Sequence, residues 1–115
     1  MSRIEPWAVW LLDLGEPVGH EQGGVRPAVI VGSSFHCRFP IRMAMFVPLT
    51  KTDRGLDHHV PVSSPDSGLE HPSFAMTEQV RTLSTDRLAR NRPLGTLVEA
   101  EQRAIAYWLK KMVAQ

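Results

Sequence analysis

Little in this sequence marks a specialised class of protein. Cys37 is its only cysteine, so no intrachain disulfide can form, which suits a reducing cytoplasm. Long apolar runs are missing as well. Trp7 to Leu12 is cut off by Asp13, too short for a bilayer span, and the first residues lack a basic segment with a cleavage site. The expectation is a soluble cytoplasmic protein with no membrane partner. Charge of one sign is scarce, since 22% charged residues nearly cancel to a net +1, and bulk charge therefore cannot coat a nucleic acid. Metal-ligand spacings are absent too: the five histidines and one cysteine form no CxxC, HxH or HExxH. His36-Cys37 and His58-His59 are adjacent pairs, and neighbours on a strand point to opposite faces, so each pair offers one ligand at most. No metal site and no cofactor are expected. "GHEQGG" at residues 19–24 lacks the Gly-Lys-Ser/Thr ending of a phosphate loop, and no serine or cysteine triad has a local signature.

What is present is ordinary globular composition, 43% hydrophobic over 115 residues, enough for one core and one domain spanning residues 1–115. Val9 to Leu14 reads as a strand ended by Gly15 and Pro17. Ala28 to Val31 is continuously apolar, as in a strand buried on both faces. Residues 32–40 read as loop, Ile41 to Leu49 as strand, His59 to Val62 as a short strand and residues 63–72 as loop. From Phe74 to Leu83 the period is two, with Glu78 in phase with the apolar set, at the mouth of the core or displaced by a bulge. Ser84 suits the N-cap of a helical turn. Thr96 and Glu99 have the spacing of a capping box for a final helix, whose apolar face is Ala104, Ile105, Trp108, Leu109 and Met112. Short strands followed by one amphipathic helix give an α+β domain, a small twisted sheet or barrel with a helix packed on it.

Two features bear on function. Residues 26–54 hold Arg26, Arg38, Arg42, Lys51 and Arg54 against Asp53 alone, a local +4 that can steer a polyanion or merely line a solvated edge. In addition, His20, Glu21, Gln22 and Arg26 lie in or beside the first loop, Thr50 and Thr52 follow the third strand, and Glu78 and Gln79 lie on the long strand. RNA cleavage needs a base for the ribose 2′-OH, an acid for the departing 5′-oxygen and a cation for the charge growing on phosphorus. Histidine suits the proton transfers, and the planar, always charged fork of arginine suits the phosphorane. Each residue also has a plainer use: His20 as a surface histidine, Arg26 in an edge ion pair, Thr50 and Thr52 in turn chemistry, Glu78 as an N–H acceptor.

"VWLLDLGEPVGHEQGGVRPAVIV", "VPLT" and "TEQVRTLSTDRL", in this order, resemble the MazF/PemK family of toxin-antitoxin toxins from about Val9 to the C-terminal helix. The resemblance implies a small SH3-like β-barrel of the CcdB/PemK kind with a C-terminal helix, working as a homodimer. It implies sequence-specific, metal-independent endoribonuclease action on single-stranded RNA, typically mRNA, which arrests growth until a cognate antitoxin protein neutralises it. By match to the motifs, Arg26 and Thr50 fall at the catalytic centre, and His20 and Glu78 match proton-transfer positions. Glu21, Gln22, Thr52, Gln79 and Arg81 are expected to face the RNA. Where the family usually starts its first strand with Gly-Asp, this chain has Trp7-Ala8. Trp7, Trp10, Met45 and Phe46 look too many for one small sheet to hide, which also favours a dimer. A gyrase-poisoning toxin of the CcdB type and an inactive barrel that only binds protein or RNA are the other readings.

Overall fold

The computed structural model describes residues 4–21 and 23–114. Seven strands form one curled antiparallel sheet, a half-barrel, with a long helix at the end of the chain. The strands are β1 (Ala8–Asp13), β2 (Val25–Ile30), β3 (Met43–Thr50), β4 (His59–Val62), β5 (Ser73–Met76), β6 (Arg81–Ser84) and β7 (Gly95–Thr96). Helix α1 (Ser34–Cys37) is one turn and α2 (Glu99–Met112) is the long one. The order across the sheet is β4-β5-β3-β2-β1-β7, and β6 pairs the first half of β3, Met43 to Phe46, while β5 pairs its last two residues.

Alternation along each strand builds two cores. On one face Trp10, Leu12, Ala28, Ile30, Ala44, Phe46 and Leu83 pack together. On the other, Val9, Val29, Val47, Leu49, Val60, Val62 and Ala75 pack with Leu97 and with Ile105 of α2. Both faces of the central strands are therefore covered, and Ala28, Val29 and Ile30 are all buried, as their unbroken apolar run predicts. Trp10 and Phe46 are also wholly enclosed by their own chain, with Trp7 and Met45 half-buried. These four side chains therefore leave no surplus apolar bulk that a dimer would have to cover.

Three local departures from the sequence reading have clear causes. The period-two stretch from Phe74 to Leu83 is not one strand: a 3-10 turn at Thr77–Gln79 divides β5 from β6, letting β3 hand its edge from one to the other. The segment read as loop at 32–40 contains α1, capped by the Ser33 hydroxyl, which accepts from the His36 N–H. The expected capping box at Thr96 does not form, because the Leu97 N–H bonds Trp7 O at 3.0 Å and the Thr96 hydroxyl donates to the same oxygen, holding both at the sheet edge. Helix α2 instead starts after Val98, whose N–H is taken by Glu101 at 3.4 Å. The second oxygen of Glu101 accepts from the Ser63 and Ser64 N–H groups, tying the helix start to the loop after β4. As expected, β4 runs from His59 to Val62 and Ser84 caps the turn at Thr85–Arg87; β2 instead begins three residues early, at Val25, and the loop at 63–72 holds a 3-10 turn at Pro65–Ser67.

Candidate active site

Arg26 occupies β2 opposite Leu12 and is half-buried. Its Nε donates to Gly23 O at 3.0 Å and its Nη1 to Leu49 O at 3.3 Å, so the guanidinium fastens the first loop to the end of β3. Burial first, and then repulsion from Arg54, draw its pKa below that of a free guanidinium, although an arginine remains charged at neutral pH. Two of its five N–H groups are spent on carbonyls, and the other three remain for a ligand.

Thr50 ends β3 and is 7% exposed, its hydroxyl oxygen accepting the Thr52 N–H at 3.2 Å. That is turn chemistry, and it leaves the Thr50 hydroxyl proton available to a neighbour. Thr52 is exposed. Arg54 extends to Met76 Sδ at 3.7 Å, and Gln79 approaches the same sulfur at 3.9 Å, which brings the far end of the β3–β4 loop against the 3-10 turn.

The sequence-predicted residues divide between two concavities. A cavity of about 460 Å³ is lined by Arg26, Lys51, Glu70, His71, Ser73 and Arg90 among others, three fixed cations against one carboxylate. A second, of about 480 Å³, is formed by His20, Glu21, Glu78, Gln79, Val80 and Arg81. His20, Glu21, Glu78, Gln79 and Arg81 are thus brought together, with Arg26 on the other cavity and Thr50 in the wall of neither. The Glu21 carboxylate accepts the Val18 N–H at 3.0 Å, so one oxygen shapes the loop. Gln22 lies outside the described residues.

The structure departs from the sequence expectation at the basic residues and at the histidine pair. The local +4 does not form one patch, because Arg42 pairs with Asp86 at 2.9 Å and Arg38 lines a recess with Ile4, Glu5 and Cys37. The groove gains His71 and Arg90 instead, from loops whose composition carried no signal. The histidine pair is the other case. β4 starts at His59, so His58 belongs to the turn before it and the opposite-face rule fails. His59 Nε2 lies 2.9 Å and His58 Nε2 3.2 Å from the same oxygen, Oε1 of Glu78. The 3-10 turn aims Glu78 at them, and the Thr77 hydroxyl fixes the turn by donating to His58 O at 2.7 Å.

A curled antiparallel sheet with one covering helix and a half-buried arginine on a cationic cavity defines a small α+β domain with a candidate site for an anionic ligand. The chain belongs to the PemK-like, MazF-like toxin family of type II toxin-antitoxin systems, whose profile matches residues 5–113. It is 33% identical over 81 residues, 70% of each chain, to endoribonuclease EndoA of Bacillus subtilis. A MazF from Deinococcus radiodurans superposes with a TM-score of 0.82 at 18% identity, covering 97% of both chains. A mycobacterial endoribonuclease solved in complex with its cognate antitoxin superposes with a TM-score of 0.76 at 24% identity, covering 95% of this chain and 93% of that one.

Proposed function

We propose that this protein is an endoribonuclease toxin that cuts single-stranded RNA, typically mRNA, at a short specific sequence in the cytoplasm and is neutralised by a cognate antitoxin. The observation that carries the reading is Arg26. Its guanidinium is held by two backbone carbonyls, half-desolvated, and next to Lys51 on the rim of a cavity, which is how a preorganised donor for developing phosphate charge is built. Family membership and the 33% identical endoribonuclease support the same reaction class.

In this reading the ribose 2′-OH attacks the adjacent phosphorus, giving a 2′,3′-cyclic phosphate and a 5′-hydroxyl. Arg26 stabilises the pentavalent phosphorus, Thr50 positions the phosphate through its hydroxyl, and His20 or Glu78 moves the protons. His20 and Glu78 belong to the second concavity and Arg26 to the first, so the RNA must reach both. Glu21, Thr52, Gln79 and Arg81 face the RNA, as does Gln22. These side chains supply an acid, a base and a cation, so the step needs no metal ion. The protein works as a homodimer.

Purified protein incubated with a long defined RNA in excess EDTA should give discrete fragments with 5′-hydroxyl ends. A substrate with 2′-deoxyribose at the cleavage site should resist. Cutting of that substrate at the normal rate would mean that water is the nucleophile, and no cutting of any RNA would return the choice to a gyrase-poisoning toxin or a barrel that only binds.

A further inference from the structure

We propose that His58, His59 and Glu78 form a binding site for one divalent transition-metal ion of the zinc type. Their donor atoms, two imidazole Nε2 and a carboxylate oxygen, all lie within 4.8 Å of one another. Both nitrogens already approach Glu78 Oε1, at 3.2 and 2.9 Å. Zinc binds nitrogen and oxygen at about 2.0–2.2 Å, so tetrahedral donors on one ion stand about 3.4 Å apart. The two imidazole nitrogens, no more than 4.8 Å apart, must draw together toward that spacing, and the separations from Glu78 need to open by only a few tenths of an ångström. Glu78 can give that way, since its side chain is 36% exposed.

The histidines are held ready for it. His59 is buried at 2% side-chain exposure. His58 packs its ring edge-on against His59 and Trp108, with centroids 4.9 and 6.3 Å away, and its carbonyl is bound by the Thr77 hydroxyl. Two imidazoles and one carboxylate select zinc, cobalt or nickel over magnesium and calcium, which prefer oxygen donors. Three protein ligands leave a further coordination position open, as in zinc sites that accept water or an anion. Among the described residues, His59 Nδ1 has no hydrogen-bond partner. The site thus lacks, at His59, the outer partner that usually raises ligand basicity, and binding weaker than that of structural zinc sites follows.

The metal has a consequence for activity that rests on the reading given under Proposed function. Of the two proton-transfer candidates in that reading, His20 and Glu78, it is Glu78 that acts here: bound to zinc it can no longer move a proton on RNA, so the ion inhibits cleavage.

Zinc chloride titrated calorimetrically into EDTA-treated, dialysed protein should bind one ion per chain, and cobalt should give visible absorption bands of low-symmetry coordination. His58→Ala and Glu78→Gln change half-exposed groups and should each weaken binding roughly tenfold or more, whereas His36→Ala should leave it unchanged. His59→Ala removes a buried ring and is read only if its circular dichroism is native. No saturable binding up to millimolar zinc, or binding that survives both His58→Ala and Glu78→Gln, overturns the site. In the cleavage assay zinc should slow the native protein reversibly, with EDTA restoring it, and should not slow His58→Ala. Zinc bound without loss of cleavage overturns the inhibitory consequence. An absence of cleavage under all conditions strikes the endoribonuclease reading and leaves the calorimetric result standing.

Discussion

At the scale of single residues, Arg26 does two jobs, and its substitutions separate them. Its bonds to Gly23 O and Leu49 O are net stabilising by about 1 kcal/mol each. Arg26→Ala should therefore cost about 1–2 kcal/mol in urea unfolding and still fold, while cleavage falls roughly a hundredfold or more through the lost donor. Arg26→Lys keeps the charge but cannot span two carbonyls and a phosphate with one planar fork, so its cleavage rate should be much closer to that of Ala than to the native rate. A lysine variant with near-native cleavage would reduce the role of Arg26 to charge alone. Cys37 offers a pH test remote from this site. Burial raises its thiol pKa, Arg38 acts in the opposite direction and Glu5 adds to the rise. A raised pKa means less thiolate at a given pH, so iodoacetamide should alkylate the folded protein more slowly than the urea-unfolded chain at mildly alkaline pH. The sign for stability follows: the unfolded thiol ionises first, and the contribution present at neutral pH is lost as pH rises through the folded pKa. Equal alkylation rates for folded and unfolded chain would contradict the shift.

At the scale of elements, the helix face of α2 was legible from its 3.6 period, apart from Met112, which is exposed, and β1, β4 and the buried half of β2 from short apolar runs bounded by turn residues. Val25 to Pro27, which start β2, carried no such run. The break between β5 and β6 was not legible. A 3-10 turn of three residues has no composition of its own, and what demands it is the change of partner along β3, a tertiary fact. For the same reason Glu78 was legible as anomalous but its histidine partners were not. Trp7 is instructive in another way. It has φ 69°, a left-handed backbone that glycine adopts freely, at the place where the resemblance expects glycine. Where two loops cross, glycine is required: Gly68 has φ 75°, and a Cβ there would run into the Leu94 carbonyl, while one on Gly95 would meet the backbone of Asp66 and Ser67. Gly68→Ala should lower stability by about 2 kcal/mol or more, from backbone strain plus displacement of Leu94. Ile105→Ala, which empties the contact of α2 with the sheet, should cost about 2–5 kcal/mol. Either variant unfolding at the native urea midpoint would mean that the crossing or the helix contact is not structurally needed.

At the scale of the whole molecule, the charge that matters is local, since the net charge is only +1. Arg26, Lys51 and Arg90, with Glu70 against them and the imidazole of His71 beside them, converge on one cavity from β2, the loop after β3 and two later loops, although they are scattered over 65 positions of sequence. A cationic concavity with apolar walls from Leu11, Leu49 and Leu94 suits RNA, and it equally suits an acidic amphipathic peptide that places carboxylates where phosphates would lie and leucine-like side chains on the walls. An antitoxin of that kind inhibits by occupancy, so it and RNA should exclude one another. Lys51→Glu with Arg90→Glu should weaken both by slowing association, with a reduced dependence of RNA affinity on salt. Both residues are exposed, so the fold should be unaffected. Competition is measured with a fluorescent, uncleavable 2′-deoxy-substituted RNA. Saturating antitoxin should displace it from the native protein. A ternary complex that retains the RNA, or full cleavage with the antitoxin saturating, would place the antitoxin on another surface.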